Sequence, residues 1–189
     1  MFETDAFIAQ CRAALQEHSP QLVIKEIMAQ ALSCPQEVAA ALGPATRAEI
    51  ATLHHSPELT VLRVIWAPGM SIYPHDHRMW AVIGLYGGQE DNTFFRRTRD
   101  GLARAGGQDL ERGDAVLLGQ DVIHAVTNPR RTFAEAIHIY GGDFFNEPRS
   151  EWDSVSLEER PYDVERARRV FAEANDRLAV EPGSHGESD

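Results

Sequence analysis

The sequence is poor in lysine and in cysteine. Of its 18 basic residues only Lys25 is a lysine, and its two cysteines are Cys11 and Cys34. Two thiols in 189 residues are too few for a disulfide scaffold, so both are expected to be free. No apolar run approaches the roughly 18 residues of a spanning helix, and the first residues lack the basic and apolar regions of a signal peptide. These absences predict a cytoplasmic protein without membrane partners.

Positive charge is also scarce. The formal net charge of −11 argues against nucleic acid as a partner, because such binding needs a basic surface. The hydrophobic share of 43% and the charged share of 25% are typical of a folded globular chain. A length of 189 residues suits one domain with enough chain to bury a core.

The first 57 residues have a helical pattern. Phe7, Cys11 and Leu15 recur at a spacing of four, which predicts an amphipathic helix. Prolines that follow Ser19 and Cys34 indicate two further helix starts, since proline is tolerated in the first turn. The predicted helices cover residues 4–18, 20–32, 35–43 and, as a short fourth helix, 46–53. We expect this segment to pack on the domain that follows.

The pattern changes to strands at residue 58. Leu59–Trp66 is rich in β-branched residues, and short strand-like runs then recur between glycine and proline turn signals. This rhythm is typical of an antiparallel sandwich or barrel, here predicted over residues 58–147. Residues 148–189 are predicted to hold one helix, from Asp163 to about Leu178, and a polar tail that includes Gly183 to Asp189.

Three of the eight histidines stand at spacings that suit one metal ion. His75 and His77 are two residues apart, so on a strand both imidazoles leave the same face. His124 lies in a later strand-like run and can supply a third nitrogen across a barrel. Three neutral imidazoles with open positions describe a catalytic metal site rather than a closed structural one.

The spacing around these histidines resembles the two cupin motifs. The first motif is matched by Gly69, His75, His77 and Gly88, and the second by Gly113, His124 and Asn128. The positions that usually hold the first motif's glutamate are occupied by Ala81 and Val82. The resemblance implies a mainly β fold, the double-stranded β-helix or jelly-roll barrel, here with N-terminal helices and one C-terminal helix.

Within the cupins, a sequence that keeps the three histidines but lacks the carboxylate resembles the cysteine dioxygenase-like, or thiol dioxygenase, family. Trp66-Ala-Pro-Gly69 looks like the segment that precedes the first two histidines in that family. Ala136-Ile-His138-Ile-Tyr140 resembles its Ser-x-His-x-Tyr motif. The resemblance implies one divalent metal, Fe(II) in the first place, that acts on a small thiol and O2 to give a sulfinate. Nickel or zinc could replace iron in a recombinant sample. His138 would orient the Tyr140 hydroxyl toward the metal.

The family's substrate-binding arginine has no match. Its Tyr-x-Arg motif is absent, so the candidates for a substrate anion are Arg63 and Arg78, with Arg96 and Arg97 behind them. Because the usual carboxylate partner is missing, we expect cysteine to be a poor substrate. The segment after His77 also contains no cysteine that could form the type enzyme's crosslink to the tyrosine.

Two other readings stay open. The chain could be another three-histidine cupin enzyme, such as a non-thiol dioxygenase or an isomerase. It could also be a non-catalytic cupin that binds a small molecule. The sequence leaves the oligomeric state undetermined.

Overall fold

The computed structural model describes residues 1–99 and 101–180 and opens with three helices. They span Thr4–Ala14 (α1), Pro20–Ala31 (α2) and Pro35–Leu42 (α3), close to the predicted positions. Proline begins α2 and α3, where a missing N–H removes no helical hydrogen bond. A fourth helix, Val164–Val180 (α4), follows the strands. The predicted polar tail from Gly183 to Asp189 lies outside the described residues.

Between α3 and α4 the described chain forms eleven strands. They span Glu49–His55 (β1), Thr60–Trp66 (β2), Ser71–Asp76 (β3), Ala81–Gly87 (β4), Gln89–Thr98 (β5), Gly101–Glu111 (β6), Ala115–Leu118 (β7), Ile123–Thr127 (β8), Ala134–Tyr140 (β9), Ser150–Trp152 (β10) and Glu159–Pro161 (β11). One sheet has the order β1-β2-β9-β4-β7 and the other β11-β10-β3-β8-β5-β6. Neighbouring strands are antiparallel throughout both sheets.

The predicted fold class is confirmed: the protein is mainly β, with N-terminal helices and a C-terminal helix around two antiparallel sheets. The sheets extend past the predicted range of 58–147, because β1 precedes it and β10 and β11 follow it. In the described part of the chain, no helix combines the length and the apolar character needed to cross a membrane.

The predicted short helix over residues 46–53 is wrong, since most of it belongs to strand β1. The local sequence Arg-Ala-Glu-Ile-Ala suits a helix, but β1 pairs with β2 from Glu49 opposite Ile65 to His55 opposite Thr60. That pairing gives the β1 backbone its hydrogen-bond partners, whereas so short a helix is only marginally stable even when its residues favour helix formation.

Two apolar layers lie on either side of the five-stranded sheet. Between the sheets, the inner layer contains Leu62 and Val64 from β2. On the outer side, Val61 and Ile65 from the same strand pack against the N-terminal helices. All seven residues of β2 are therefore buried, as expected for a strand covered on both faces.

The strand register brings the predicted site residues to the inner face. His75 on β3 lies directly opposite His124 on β8. His138 on β9 pairs with Leu62 on one side and with Ile83 on the other. Gly88, which joins β4 to β5, has φ +69°, and a Cβ there would lie 2.3 Å from the Phe133 carbonyl oxygen. Only glycine fits this turn, which directs β5 into the other sheet.

Candidate metal centre

The side chains of His75, His77 and His124 converge inside the barrel. Nε2 of His77 lies 3.2 Å from Nε2 of His75 and 3.2 Å from Nε2 of His124. The three side chains are buried, and their ligand atoms all lie within 4.8 Å of one another. The structure thus brings the three predicted ligands together at one point.

The nitrogen spacing fits a metal ion. With metal–nitrogen bonds of about 2.1 Å, two ligand nitrogens lie about 3.0 Å apart at 90° and about 3.4 Å apart at the tetrahedral angle. The separations of 3.2 Å lie between these values. Imidazole nitrogens suit iron, zinc, nickel and copper, so this donor set can hold one transition-metal ion.

Burial keeps the three histidines in the neutral form that metals bind. It lowers the pKa of His75 to about 4. Burial also holds the pKa values of His77 and His124 well below the ordinary value, and the charge of a neighbouring protonated histidine would lower both further. At neutral pH the nitrogen lone pairs are therefore available, since a protonated imidazole cannot bind a metal.

Hydrogen bonds at the other ring nitrogen orient two of the ligands. Nδ1 of His75 lies 3.1 Å from the carbonyl oxygen of Tyr73. Nδ1 of His124 lies 2.6 Å from Oδ1 of Asn92. Both partners are acceptors, so each Nδ1 carries the proton and each Nε2 is left free for an ion.

Among the described residues, no carboxylate joins the three histidines as a candidate ligand. Ala81 and Val82, which occupy the expected glutamate positions, are fully buried residues of β4. An ion at this site would therefore have only neutral protein ligands and would keep its full positive charge.

His138 and Tyr140 form a hydrogen-bonded pair beside the histidine cluster. Nδ1 of His138 lies 3.0 Å from Oη of Tyr140. The Tyr140 ring is edge-on to His77, with 5.0 Å between ring centroids, and stacks on Phe144 at 4.1 Å. Burial raises the pKa of Tyr140, so its hydroxyl stays protonated. The pair thus offers a fixed polar group in the cavity that the histidines share.

Arg63, a predicted candidate for binding the substrate, has its side chain on the other face of the five-stranded sheet, away from the histidines. Its Nε donates to Tyr86 Oη at 2.9 Å, and its Nη2 donates to the Gly43 carbonyl at 2.7 Å. Its Nη1 lies 3.2 Å from Oε1 of Glu49. These partners occupy the guanidinium away from the histidines.

Arg78 is likewise placed outside the cavity. It has φ 57°, and its side chain turns back so that Nε lies 3.1 Å from Oδ2 of the preceding Asp76. Arg97 forms an ion pair with Glu159 and stacks over Trp152 at 4.8 Å, and Arg96 is exposed. The structure therefore brings none of the four predicted arginines to the histidine cavity.

Arg149, which the sequence analysis missed, lies closer to the site. Its guanidinium is held between the rings of Phe144 and Tyr162, with Cζ 4.1 Å and 4.0 Å from the two centroids. It donates from Nη1 to the Phe144 carbonyl, while its buried Nε has no hydrogen-bond partner. Within the described chain, no carboxylate forms an ion pair with it.

The cavity at the histidines is small and mostly apolar. It measures about 30 Å³, and its lining includes Leu62, Val64 and Trp66 beside the histidines and Tyr140. A wider cleft of about 480 Å³, which Arg149 lines, adjoins it. The cleft and the cavity share three wall residues, Ile50, Phe144 and Tyr162. A ligand that reaches from the cleft to the histidines would therefore pass beside Arg149.

No family model matches the sequence. A search of solved structures finds an RmlC-like cupin family protein with a double-stranded β-helix fold from Methanocaldococcus jannaschii, at 11% identity and a TM-score of 0.46 over 53% of this chain and 85% of that one. A cupin superfamily protein from Desulfitobacterium hafniense matches at 18% identity and a TM-score of 0.44, over 55% and 87%. Recombinant oxalate oxidase in complex with glycolate matches at 19% identity and a TM-score of 0.38, over 45% and 42%. The chain is thus similar to double-stranded β-helix proteins at low identity.

Proposed function

We propose that the protein is an Fe(II)-dependent dioxygenase that converts a small thiol bearing an anionic group to its sulfinate. In this reaction both atoms of O2 end on the sulfur and the thiol proton is released. The observation that carries the proposal is the single cavity shared by three neutral histidines and the His138–Tyr140 pair.

The charge of the site supports a thiolate as the bound form of the substrate. Three neutral ligands cancel none of the charge on a divalent ion, whereas a glutamate ligand would cancel half of it. When bound, a ferrous ion would supply open coordination positions and the redox chemistry that thiol oxidation requires. The role of the protein is then to exclude water and to hold the reactants close together.

His138 and Tyr140 are proposed to orient the reacting group. The other polar groups in the cavity lining are the three histidines and Tyr162. The remaining wall is formed mostly by apolar side chains. A hydroxyl held at a fixed position can align a bound ligand without reorganising during the reaction. The tight packing of Tyr140 against His77 and Phe144 keeps its oxygen in place.

Arg149 is proposed to bind the anionic end of the substrate. A buried guanidinium without an ionic partner is unfavourable, so a site that retains one is suited to an anion. Burial is the main cause of the lowered pKa values of His75 and His77, and the charge of Arg149 lowers both further, so its guanidinium lies within electrostatic reach of these two histidines. A short mercaptocarboxylate could therefore place its sulfur at the metal and its carboxylate at Arg149.

Oxygen consumption by iron-loaded protein tests the proposal. The panel would contain the thiols mercaptoacetate, 3-mercaptopropionate, cysteine and cysteamine and the non-thiol glycolate, with the sulfinate identified by mass spectrometry and His124→Ala as the control. Stoichiometric sulfinate from a mercaptocarboxylate is the expected result. Oxidation of a non-thiol compound alone would identify a different three-histidine enzyme. Binding of thiols without oxygen uptake would indicate a non-catalytic cupin.

A further inference from the structure

A buried carboxylate lies between the metal ligand His124 and the His138–Tyr140 pair. Glu90 on β5 is fully buried and reaches across the barrel interior. Its Oε2 accepts a hydrogen bond from Trp66 Nε1 at 2.9 Å, and its Oε1 accepts one from Asn92 Nδ2 at 3.1 Å. The same Oε2 lies 3.4 Å from Nε2 of His138, a separation long for a hydrogen bond but close for an electrostatic contact.

These neighbours keep Glu90 ionised. Burial by itself raises the pKa of this carboxyl, but His138, Asn92 and Trp66 outweigh it and lower the pKa below its usual value. An ionised carboxylate can only accept hydrogen bonds. Each group that contacts Glu90 must therefore turn a donor toward it.

The first consequence of the ionised Glu90 concerns the tautomer of the metal ligand His124. Asn92 must direct its NH2 group at Glu90, so its Oδ1 faces His124 Nδ1 at 2.6 Å. Because Oδ1 can only accept, His124 must carry its proton on Nδ1. Its Nε2 lone pair is then directed at the other two histidines, where an ion would bind.

The second consequence concerns the direction of the hydrogen bond between Tyr140 and His138. The carboxylate of Glu90 favours a proton on Nε2 of His138, which leaves Nδ1 as an acceptor. Tyr140 Oη lies 3.0 Å from that Nδ1, so its hydroxyl donates to His138. The oxygen lone pairs of Tyr140 then face the cavity. A ligand group that hydrogen-bonds to Tyr140 would therefore have to act as the donor.

We propose that Glu90 is a positioning residue that fixes the hydrogen-bond direction both at His124 and at Tyr140. Ala136, two residues before His138 on β9, has no polar side chain, and the carboxylate of Glu90 from the opposite sheet lies 3.4 Å from His138 Nε2. The inference rests on the three-histidine metal site and does not require the thiol oxidation proposed above.

Glu90→Gln gives a directional test. The indole of Trp66 is a donor only, so the amide oxygen of the new side chain must face Trp66 and His138. Its NH2 group must then face Asn92, which can accept only by turning its amide over. That rotation presents an NH2 group to Nδ1 of His124 and favours the tautomer that cannot bind a metal through Nε2. Zinc affinity, measured by chelator competition, should fall about 10- to 100-fold.

A double variant should reverse this loss. In Glu90→Gln with Asn92→Asp, the carboxylate and the amide exchange places and the total charge is unchanged. The amide at residue 90 donates to the carboxylate at residue 92, which accepts the Nδ1 proton of His124. Zinc affinity should return to within about threefold of the original value, since the donor–acceptor order is restored. A residue with only a packing role would not show this rescue.

Nitrogen-15 NMR of the histidine rings in the zinc-loaded protein tests the inference at His138, because it shows which ring nitrogen carries the proton. His138 should carry its proton on Nε2 in the original protein and in both variants. Glu135→Gln is the matched control, because Glu135 is a partly buried glutamate on the opposite face of the sheet, 3.9 Å from Arg63. It should change neither zinc affinity nor the His138 signals. Unchanged zinc affinity in Glu90→Gln, no recovery in the double variant, or a His138 proton on Nδ1 would each overturn the proposal.

Discussion

Oδ1 of Asn92 lies 2.6 Å from Nδ1 of His124, the shorter of the two contacts that orient the histidine cluster through Nδ1. The amide holds the imidazole in the tautomer that leaves Nε2 unprotonated. Together with the contact of His75 Nδ1 to the Tyr73 carbonyl, this contact directs two Nε2 lone pairs toward the point where the three histidines converge.

Loss of one histidine should remove the metal. His75→Ala or His124→Ala leaves two imidazoles, and we expect neither variant to retain stoichiometric metal after purification, because no carboxylate of the described chain stands ready as a substitute ligand. Elemental analysis gives the metal content per chain. The exposed His18→Ala serves as control and should bind one ion. Full occupancy in both site variants would contradict the assignment.

Removal of the Tyr140 hydroxyl should slow turnover and spare metal binding. Tyr140→Phe keeps the ring packed on Phe144 but removes the oxygen 3.0 Å from His138. We expect kcat for the best thiol to fall about 10- to 100-fold with unchanged metal content. Tyr86→Phe is the matched control, because Tyr86 is a buried tyrosine bonded to Arg63 outside the cavity. Equal rates in Tyr140→Phe and the original protein would show that the hydroxyl is not used.

Much of the site could be predicted because it depends on local spacing. The separation of His75 and His77, and the later position of His124, follow motif intervals that a strand register preserves. The interval between His138 and Tyr140 likewise survives as one face of β9. Residues two apart on a strand share a face whatever the rest of the fold does.

The arginines and Glu90 could not be placed in this way because their environment comes from distant segments. Arg63 alternates with Leu62 and Val64, and the sequence does not tell which face of β2 looks inward when both are buried. Arg149 stands in an irregular stretch, and its stacking partner Tyr162 follows 13 residues later. The sequence contained one signal for Glu90: Glu90 and Asn92 are polar residues two positions apart, so they share one face of β5.

Arg149 should determine affinity for the acidic end of the substrate. In Arg149→Gln we expect KM for mercaptoacetate to rise about 10- to 100-fold, the scale of a lost hydrogen bond to a charged group. The KM for the uncharged 2-mercaptoacetamide should change little, and this comparison separates lost charge recognition from lost packing on Phe144 and Tyr162. The exposed Arg130→Gln provides the control. Parallel changes for both compounds would assign Arg149 a structural role.

The two cysteines should differ sharply in reactivity. Burial raises the pKa of Cys11 to about 12. A raised pKa means less thiolate at any given pH, and at pH 8 the thiolate fraction would be about 10⁻⁴. An aromatic disulfide reagent should therefore modify the half-buried Cys34 in the folded protein and reach Cys11 only after denaturation. Cys34→Ser should leave no thiol that reacts in the folded state. Rapid modification of that variant would show that the N-terminal helices open readily.

The final prediction concerns cysteine itself. Cysteine differs from 3-mercaptopropionate by one ammonium group, which needs an acceptor or a carboxylate when it leaves water. The cavity lining contains histidines, tyrosines and apolar side chains but no carboxylate from the described residues. Glu90 is already occupied by Trp66, Asn92 and His138.

We therefore expect kcat/KM for cysteine to lie at least about tenfold below that for 3-mercaptopropionate, because an unpaired buried polar group costs about 1–3 kcal/mol. Steady-state oxygen consumption with the two thiols at equal concentrations measures the ratio. A preference for cysteine would mean that the ammonium group has an acceptor near the histidines, and the cleft that Arg149 lines would be the place to search for it.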